Sequence, residues 1–222
     1  MKGYSIIAFI VLFFILGCND NKTSGKNTND VAARPDTVAK TKTIVFFGNS
    51  LTAGYGLSPS EAFPALIQNK IDSLGLPYRV VNAGVSGETS TSGNARIDWI
   101  LKQPLDIFVL ELGANDGLRG IPLSQTKESL QSIIDKVKIK YPSAKLVLAG
   151  MQIPPNMGAA YTGEFKNLYS QLAQKNSTVL IPFLLEGVGG EEKLNQDDGI
   201  HPTAEGHKIV AENIWEELQP LL

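Results

Sequence analysis

The stretch Thr43-Ile44-Val45-Phe46-Phe47-Gly48-Asn49-Ser50 decides the fold: four large apolar residues follow a threonine without a polar break, then meet a glycine and a short polar turn. A strand with one wet face alternates apolar and polar residues, whereas a strand covered on both faces is apolar throughout. Residues 43–47 therefore read as a strand of a parallel sheet with helices packed on either side, and Ser50 as a residue emerging at its carboxyl end.

Outward from that strand, further apolar runs lie at 78–82, 107–112, 145–149 and 178–181. Amphipathic segments with helical spacing lie between and after them, at 60–74, 92–101, 123–140, 162–175 and 203–218. Such alternation predicts an α/β domain, a three-layer α/β/α sandwich with a five-stranded parallel sheet. In open parallel sheets ligands bind beyond the carboxyl ends of the strands. Gly48-Asn49-Ser50 follows the first strand, Gly84 to Thr89 the second, and Gly113-Ala114-Asn115-Asp116 the third, while Asp197 to Pro202 precedes the last helix. All four segments are expected on one edge. No internal repeat is visible, and 187–190 reads as a mobile loop inside the domain.

The 222 residues are 43% hydrophobic and 19% charged, which suits one well-filled core. Twenty Lys and Arg stand against 22 Asp and Glu, a net charge of -2. With no basic excess, the phosphate attraction that drives nucleic-acid binding has no source, and no nucleic-acid partner is expected.

Cys18 is the only cysteine, so no disulfide can form within the chain. It ends an apolar run, Ile6 to Leu16, that follows Lys2. That run is shorter than the ~20 residues needed to span a bilayer but suits the hydrophobic part of a secretion signal. Its end, Ile15-Leu16-Gly17-Cys18, resembles the bacterial lipoprotein signal, which implies removal of residues 1–17 and a lipid on Cys18. A conventional signal peptide cut nearby, leaving a free thiol, is the other reading. Residues 18–42 are dominated by Asn, Thr, Lys, Asp and Ser and bury too little to offset ordering entropy. They read as a disordered tether, with the folded domain at 43–222.

A serine hydroxyl becomes a useful nucleophile when a base removes its proton and a third group orients that base. His201 lies in Asp197-Asp198-Gly199-Ile200-His201-Pro202, with Asp198 three residues back and able to turn toward the ring. The only other histidine, His207, falls within the following helix and reads as packed or solvated. Taken alone, Asp198 and His201 could equally form a loop-to-helix cap, and Ser50 a helix N-cap. The sequence around Ser50 lacks the Gly-x-Ser-x-Gly elbow, since position 52 is Thr, which disfavours an α/β-hydrolase. Oxyanion donors are available in the backbone N–H of Ser50, the backbone N–H of Gly87 and the side-chain amide of Asn115. Gly87 also reads as a turn glycine, and Asn115 as an Asx-turn residue.

As an ordered set, these segments resemble the SGNH or GDSL hydrolases, nearest to the bacterial periplasmic thioesterase/arylesterase/lysophospholipase subgroup. The blocks are Phe47 to Gly56, Asn82 to Ser90, Glu111 to Gly120 and Asp197 to Pro202, and the resemblance runs from Thr43 to Leu218. It implies a flavodoxin-like fold, Ser50 as nucleophile, Asp198 and His201 completing a triad, and Ser50, Gly87 and Asn115 forming the oxyanion hole. One position departs from the pattern, with Asn49 where an aspartate is usual. No cofactor and no metal are implied, and two histidines six residues apart make a poor ligand set.

The loop Met151-Gln152-Ile153-Pro154-Pro155-Asn156-Met157-Gly158 is apolar with a few polar groups. It reads either as an acyl pocket built on Met151, Ile153 and Pro154 or as a proline-stiffened connector. The resemblance implies short to medium acyl esters, thioesters or lysophospholipids as substrates of an exported, membrane-anchored lipoprotein of periplasm or cell surface. The competing readings are a carbohydrate O-deacetylase with the same triad and a noncatalytic surface-binding lipoprotein. A polysaccharide site calls for exposed aromatics, for which Tyr55 and Tyr161 are placed and Trp99 and Trp215 are not.

Overall fold

The computed structural model describes residues 40–222. The expected signal peptide, lipidated Cys18 and nearly all of the tether lie outside these residues. Five strands form one parallel sheet: β1 (Lys42–Gly48), β2 (Tyr78–Gly84), β3 (Ile107–Glu111), β4 (Lys145–Ala149) and β5 (Val179–Ile181), in the order β2-β1-β3-β4-β5. Seven helices accompany them: α1 (Ser50–Ala53), α2 (Phe63–Ser73), α3 (Ser90–Ile100), α4 (Ala114–Leu118), α5 (Leu123–Lys140), α6 (Ala159–Asn176) and α7 (Ala204–Leu218). The expected α/β sandwich is thus the observed fold, and its strand order is the flavodoxin-like one.

Both central strands are buried from end to end past Lys42, and Ile44, Phe46, Phe47 and Phe108 are fully enclosed. Each such side chain contributes about 2 kcal/mol by leaving water. The order places a switch point beside β1, where the chain leaves toward β2 on one side and later returns as β3 on the other. Register then sets Gly48 level with both Gly84 and Glu111. Three loops therefore leave the sheet side by side at one edge.

Boundaries differ from expectation where local chemistry is stronger than periodicity. Helix α2 starts at Phe63 rather than residue 60 because Pro64, which has no N–H to give, fits only in a first turn. Helix α3 starts two residues early because the Thr89 hydroxyl accepts from Ser92 N and caps it. Lys42 pairs with Tyr78, so the sheet begins one residue inside the expected tether. Helices α1 and α4 were not foreseen, since four and five residues are too few to show a period. The segment 187–190, expected to be a mobile loop, is anchored at Val188, which is fully buried and whose carbonyl accepts from Asn195 Nδ2 at 2.7 Å.

His207 is packed within the domain. Its Nδ1 accepts from Phe63 N at 3.1 Å and its ring stacks on Phe63. Burial, then the charge of His201, pushes its pKa down from 6.5 to about 4. The folded state therefore binds this proton less readily than the unfolded chain, so the contribution is whole above pH 6.5 and is lost as pH falls toward 4. The full span is worth about 3 kcal/mol. Urea melts at both ends of that window should show His207→Gln with a shallower acid loss than wild type; equal slopes would remove His207 as the cause.

Candidate active site

Ser50 is the first residue of α1, directly beyond β1. Asn49 caps that turn, its Oδ1 accepting from Leu51 N at 2.9 Å, and Gly54 closes it in a left-handed conformation with its N–H on Ser50 O. As a first-turn residue, Ser50 has a backbone N–H without an intrahelical partner. The turn rests on β2, since Asn82 Nδ2 donates to Thr52 O at 2.8 Å. At Gly84 a Cβ would strike the backbone of Ala53, so only glycine allows this approach.

His201 arrives from a closed loop before α7. Asn195 and Pro202 form an antiparallel bridge, Gln196 N donates to His201 O at 2.7 Å, and Gly199 makes the turn with φ +73°. Asp198 Oδ1 accepts from the N–H groups of Ile200 and His201, both at 3.0 Å. Its other oxygen lies 2.6 Å from His201 Nδ1, and His201 Nε2 lies 2.8 Å from Ser50 Oγ. The His201 hydrogen bond, followed by the bond from Ile200 N, holds the Asp198 carboxyl at about 2, well below the usual range. It is ionised throughout the neutral range, which selects the tautomer with a proton on Nδ1 and a lone pair on Nε2 facing the serine. The Tyr55 ring lies against the imidazole, 4.6 Å between centroids.

Gly87 sits in a turn at φ +78°, its carbonyl accepting from Arg119 Nη2 at 3.0 Å. Asn115, on α4, donates through Nδ2 to Glu88 O at 3.0 Å, joining the second and third loops. Asp116 reinforces that joint by accepting from Ser90 N and Ser90 Oγ. Glu88 is buried and pairs through both oxygens with Arg96, whose guanidinium lies 4.1 Å over the Phe47 ring. Ser50, Gly87, Asn115 and His201 all line one cavity of ≈ 480 Å³.

Met151, Ile153 and Pro154 form part of the same cavity wall. Leu118, Phe183, Leu185 and Ile200 add to its apolar lining and were not anticipated. Phe183 and Leu185 follow the last strand, so the carboxyl-edge rule applied to β5 would have found them. Tyr55 lines the cavity, but Tyr161 does not, because its hydroxyl donates to Ile121 O and its ring packs toward Phe165. Glu111, Glu88 and Arg96 are structural supports of the site to which sequence patterning assigned no role. Burial of a charged side chain cannot be read from its neighbours in the chain.

The model of the GDSL-like lipase/acylhydrolase family matches residues 46–209, which hold all four loops. The chain belongs to this family. It is an esterase-type member, and the fold, the family and the enzyme class expected from the four blocks are borne out. Esterase TesA of Pseudomonas aeruginosa is 41% identical over 185 residues, 83% of this chain and 91% of that protein. Thioesterase 1/protease 1/lysophospholipase L1 of Escherichia coli is 40% identical over the same length, 83% of this chain and 86% of its own. Among solved structures, esterase EstA from a Pseudoalteromonas species, inhibited by monoethylphosphonate, superposes with a TM-score of 0.77 at 30% identity, covering 81% of this chain and 98% of EstA. This family member holds Ser50, His201 and Asp198 in hydrogen-bonded series, with Ser50 and His201 lining the cavity. Among the described residues no cluster of His, Cys, Asp and Glu suits a metal ion.

Proposed function

We propose that this esterase cleaves carboxylic esters and thioesters of short to medium acyl chains through an acyl-enzyme on Ser50. The observation that carries the reading is the Asp198–His201–Ser50 series, with spacings of 2.6 Å and 2.8 Å, whose His201 and Ser50 line an apolar cavity. Ser50 Oγ attacks the acyl carbon while His201 Nε2 takes its proton. The ionised Asp198 steadies the resulting imidazolium. Backbone N–H groups of Ser50 and Gly87 and the Asn115 amide receive the developing oxyanion. The imidazolium then protonates the departing alkoxide or thiolate, and water activated by the same histidine releases the acid and restores the serine.

The apolar wall supports an acyl tail over a bare acetyl group, which favours this reading over a carbohydrate deacetylase. Lysophospholipids fit the same logic, an apolar tail beside a polar head. A phosphonate carrying a p-nitrophenyl leaving group tests the nucleophile. One equivalent of p-nitrophenol should be released and peptide mapping should place the adduct on Ser50. An adduct elsewhere, or none, would refute the assignment. With p-nitrophenyl esters of increasing chain length, kcat/KM should rise beyond acetate and then fall once the tail outgrows the cavity.

The apolar leader ending at Cys18 supports export and a lipid anchor, with residues 18–42 as the tether. Among the described residues no helix is long and apolar enough to cross a membrane. In a bacterial host, Cys18→Ser should abolish incorporation of labelled fatty acid and move the protein from membranes to the soluble fraction. Continued lipid labelling of the variant would exclude Cys18 as the anchor.

A further inference from the structure

Beneath the nucleophile turn lies a buried carboxylate that the reaction does not touch. Glu111, the last residue of β3, is 1% exposed. Its Oε1 accepts from Asn49 Nδ2 at 2.7 Å, and its Oε2 accepts from Asn49 N at 3.1 Å, Thr52 N at 3.3 Å and Thr52 Oγ1 at 2.8 Å. These partners are the residues on either side of Ser50 and Leu51. Gly48 makes the arrangement possible, because a Cβ there would land on both Thr52 Oγ1 and Glu111 Oε2. The cluster has one further property: among the described residues no cation lies within salt-bridge distance of Glu111.

We propose that Glu111 is the positioning residue of the nucleophile turn, acting as an anion, and that Asn49 is the residue that lets it remain one. An ionised carboxylate only accepts hydrogen bonds, and here four donors converge on it. The Asn49 side chain can serve because its two ends differ: the amide nitrogen donates down to Glu111 while the oxygen accepts from Leu51 N. An aspartate at 49 has no such donor. Two carboxylates would then meet at about the 2.7 Å now spanned by the amide, and the pair could persist only by sharing a proton.

Burial pushes the Glu111 carboxyl from 4.5 up to about 7 against the pull of its hydrogen bonds, so the anion prevails on the alkaline side. The other titratable groups of this layer do not neutralise it. Tyr169, whose hydroxyl is held on Leu112 O, is pushed well above its ordinary value by burial first and then by Glu111 and Asp116. Asp116 is occupied by Ser90 and Thr126, and Glu88 by Arg96.

This inference rests on Ser50 being the nucleophile, and a four-way comparison tests it. Profiles of kcat/KM against pH are measured on p-nitrophenyl butyrate for wild type, Glu111→Gln, Asn49→Asp and the double variant. In Glu111→Gln an amide nitrogen faces the Asn49 amide, which must turn over and abandon Leu51 N. Its kcat should fall about tenfold with KM within about twofold. Asn49→Asp should gain an alkaline limb, losing about tenfold by about pH 9 as the shared proton leaves, where wild type stays level. The double variant restores a donor at 111 facing an acceptor at 49, so the alkaline limb should vanish and kcat should return to within about threefold of wild type.

A level alkaline profile in Asn49→Asp, or losses that simply multiply in the double variant, would overturn the proposal. Should Asn49→Asp not fold, wild-type protein labelled with 13C at the Glu carboxyls decides it. The resonance absent from Glu111→Gln must sit at the ionised position at about pH 9, and a protonated shift there overturns the proposal. Ser50→Ala is run alongside: activity close to wild type in it would refute the nucleophile reading, whereas a Ser50→Ala lowered by about 10⁴-fold with uncoupled 49 and 111 refutes only the role of Glu111.

Discussion

Ser50→Ala should lower kcat/KM for p-nitrophenyl butyrate by about 10⁴-fold or more, with the thermal midpoint nearly unchanged. The magnitude follows from what the hydroxyl supplies. In the proposed mechanism it is the atom that forms the acyl-enzyme, activated through its 2.8 Å contact with His201 Nε2. Alanine leaves the oxyanion donors and the cavity in place, so a small residual rate over solvent should survive. The fold has little to lose. Ser50 Oγ makes one other short contact, 3.4 Å to Asn49 Oδ1, and the turn is held by backbone and by Asn49. Equal rates for variant and wild type would dismiss Ser50 as the nucleophile.

Gly113→Ala should cost about 3 kcal/mol of folding stability, seen as a fall of about 10 °C in the thermal midpoint. Two effects act together. The backbone at this position has φ +113°, where an L side chain is strained. The new Cβ would also fall on the Tyr169 hydroxyl, which is fixed because it donates to Leu112 O at 3.0 Å. Neither partner can step aside, since Tyr169 is wholly buried and Gly113 caps α4. Because α4 carries Asn115, activity should fall further than the unfolded fraction explains. Removing the hydroxyl relieves half the problem: Gly113→Ala combined with Tyr169→Phe should recover part of the loss, although Tyr169→Phe alone orphans a buried carbonyl at about 1 kcal/mol. A Gly113→Ala variant as stable as wild type would show that the strand-to-helix turn has slack that these contacts deny.

The two variants separate chemistry from framework at adjoining loops. Ser50 is replaceable without structural cost because its role begins only when substrate is present. Gly113 does not line the cavity, but any other residue there strains the loop that carries Asn115.

Much about this protein was settled by its sequence alone. Uninterrupted apolar runs such as 44–47 and 107–110 mark strands covered on both faces, because a half-wet strand must alternate, and that suffices for a parallel sheet between helices. The four blocks, each just beyond a strand or before the last helix, sufficed to propose Ser50, Gly87, Asn115, Asp198 and His201 as one site. Spacing between them carries no three-dimensional information, yet the carboxyl-edge rule does.

What only the tertiary structure decided depends on contacts between distant segments. Strand order, and with it the level register of Gly48, Gly84 and Glu111, is a matter of which strands pair. The cavity wall at Phe183 and Leu185 comes from the end of β5, which two strands of the sheet separate from β1 and the serine. The consequence reaches furthest at Glu111, which in the sequence is one more acidic residue after an apolar run. Only the fold encloses it beneath the nucleophile turn, with four donors from that turn and, among the described residues, no cation within salt-bridge distance, because burial and pairing are properties of a place and not of a residue type.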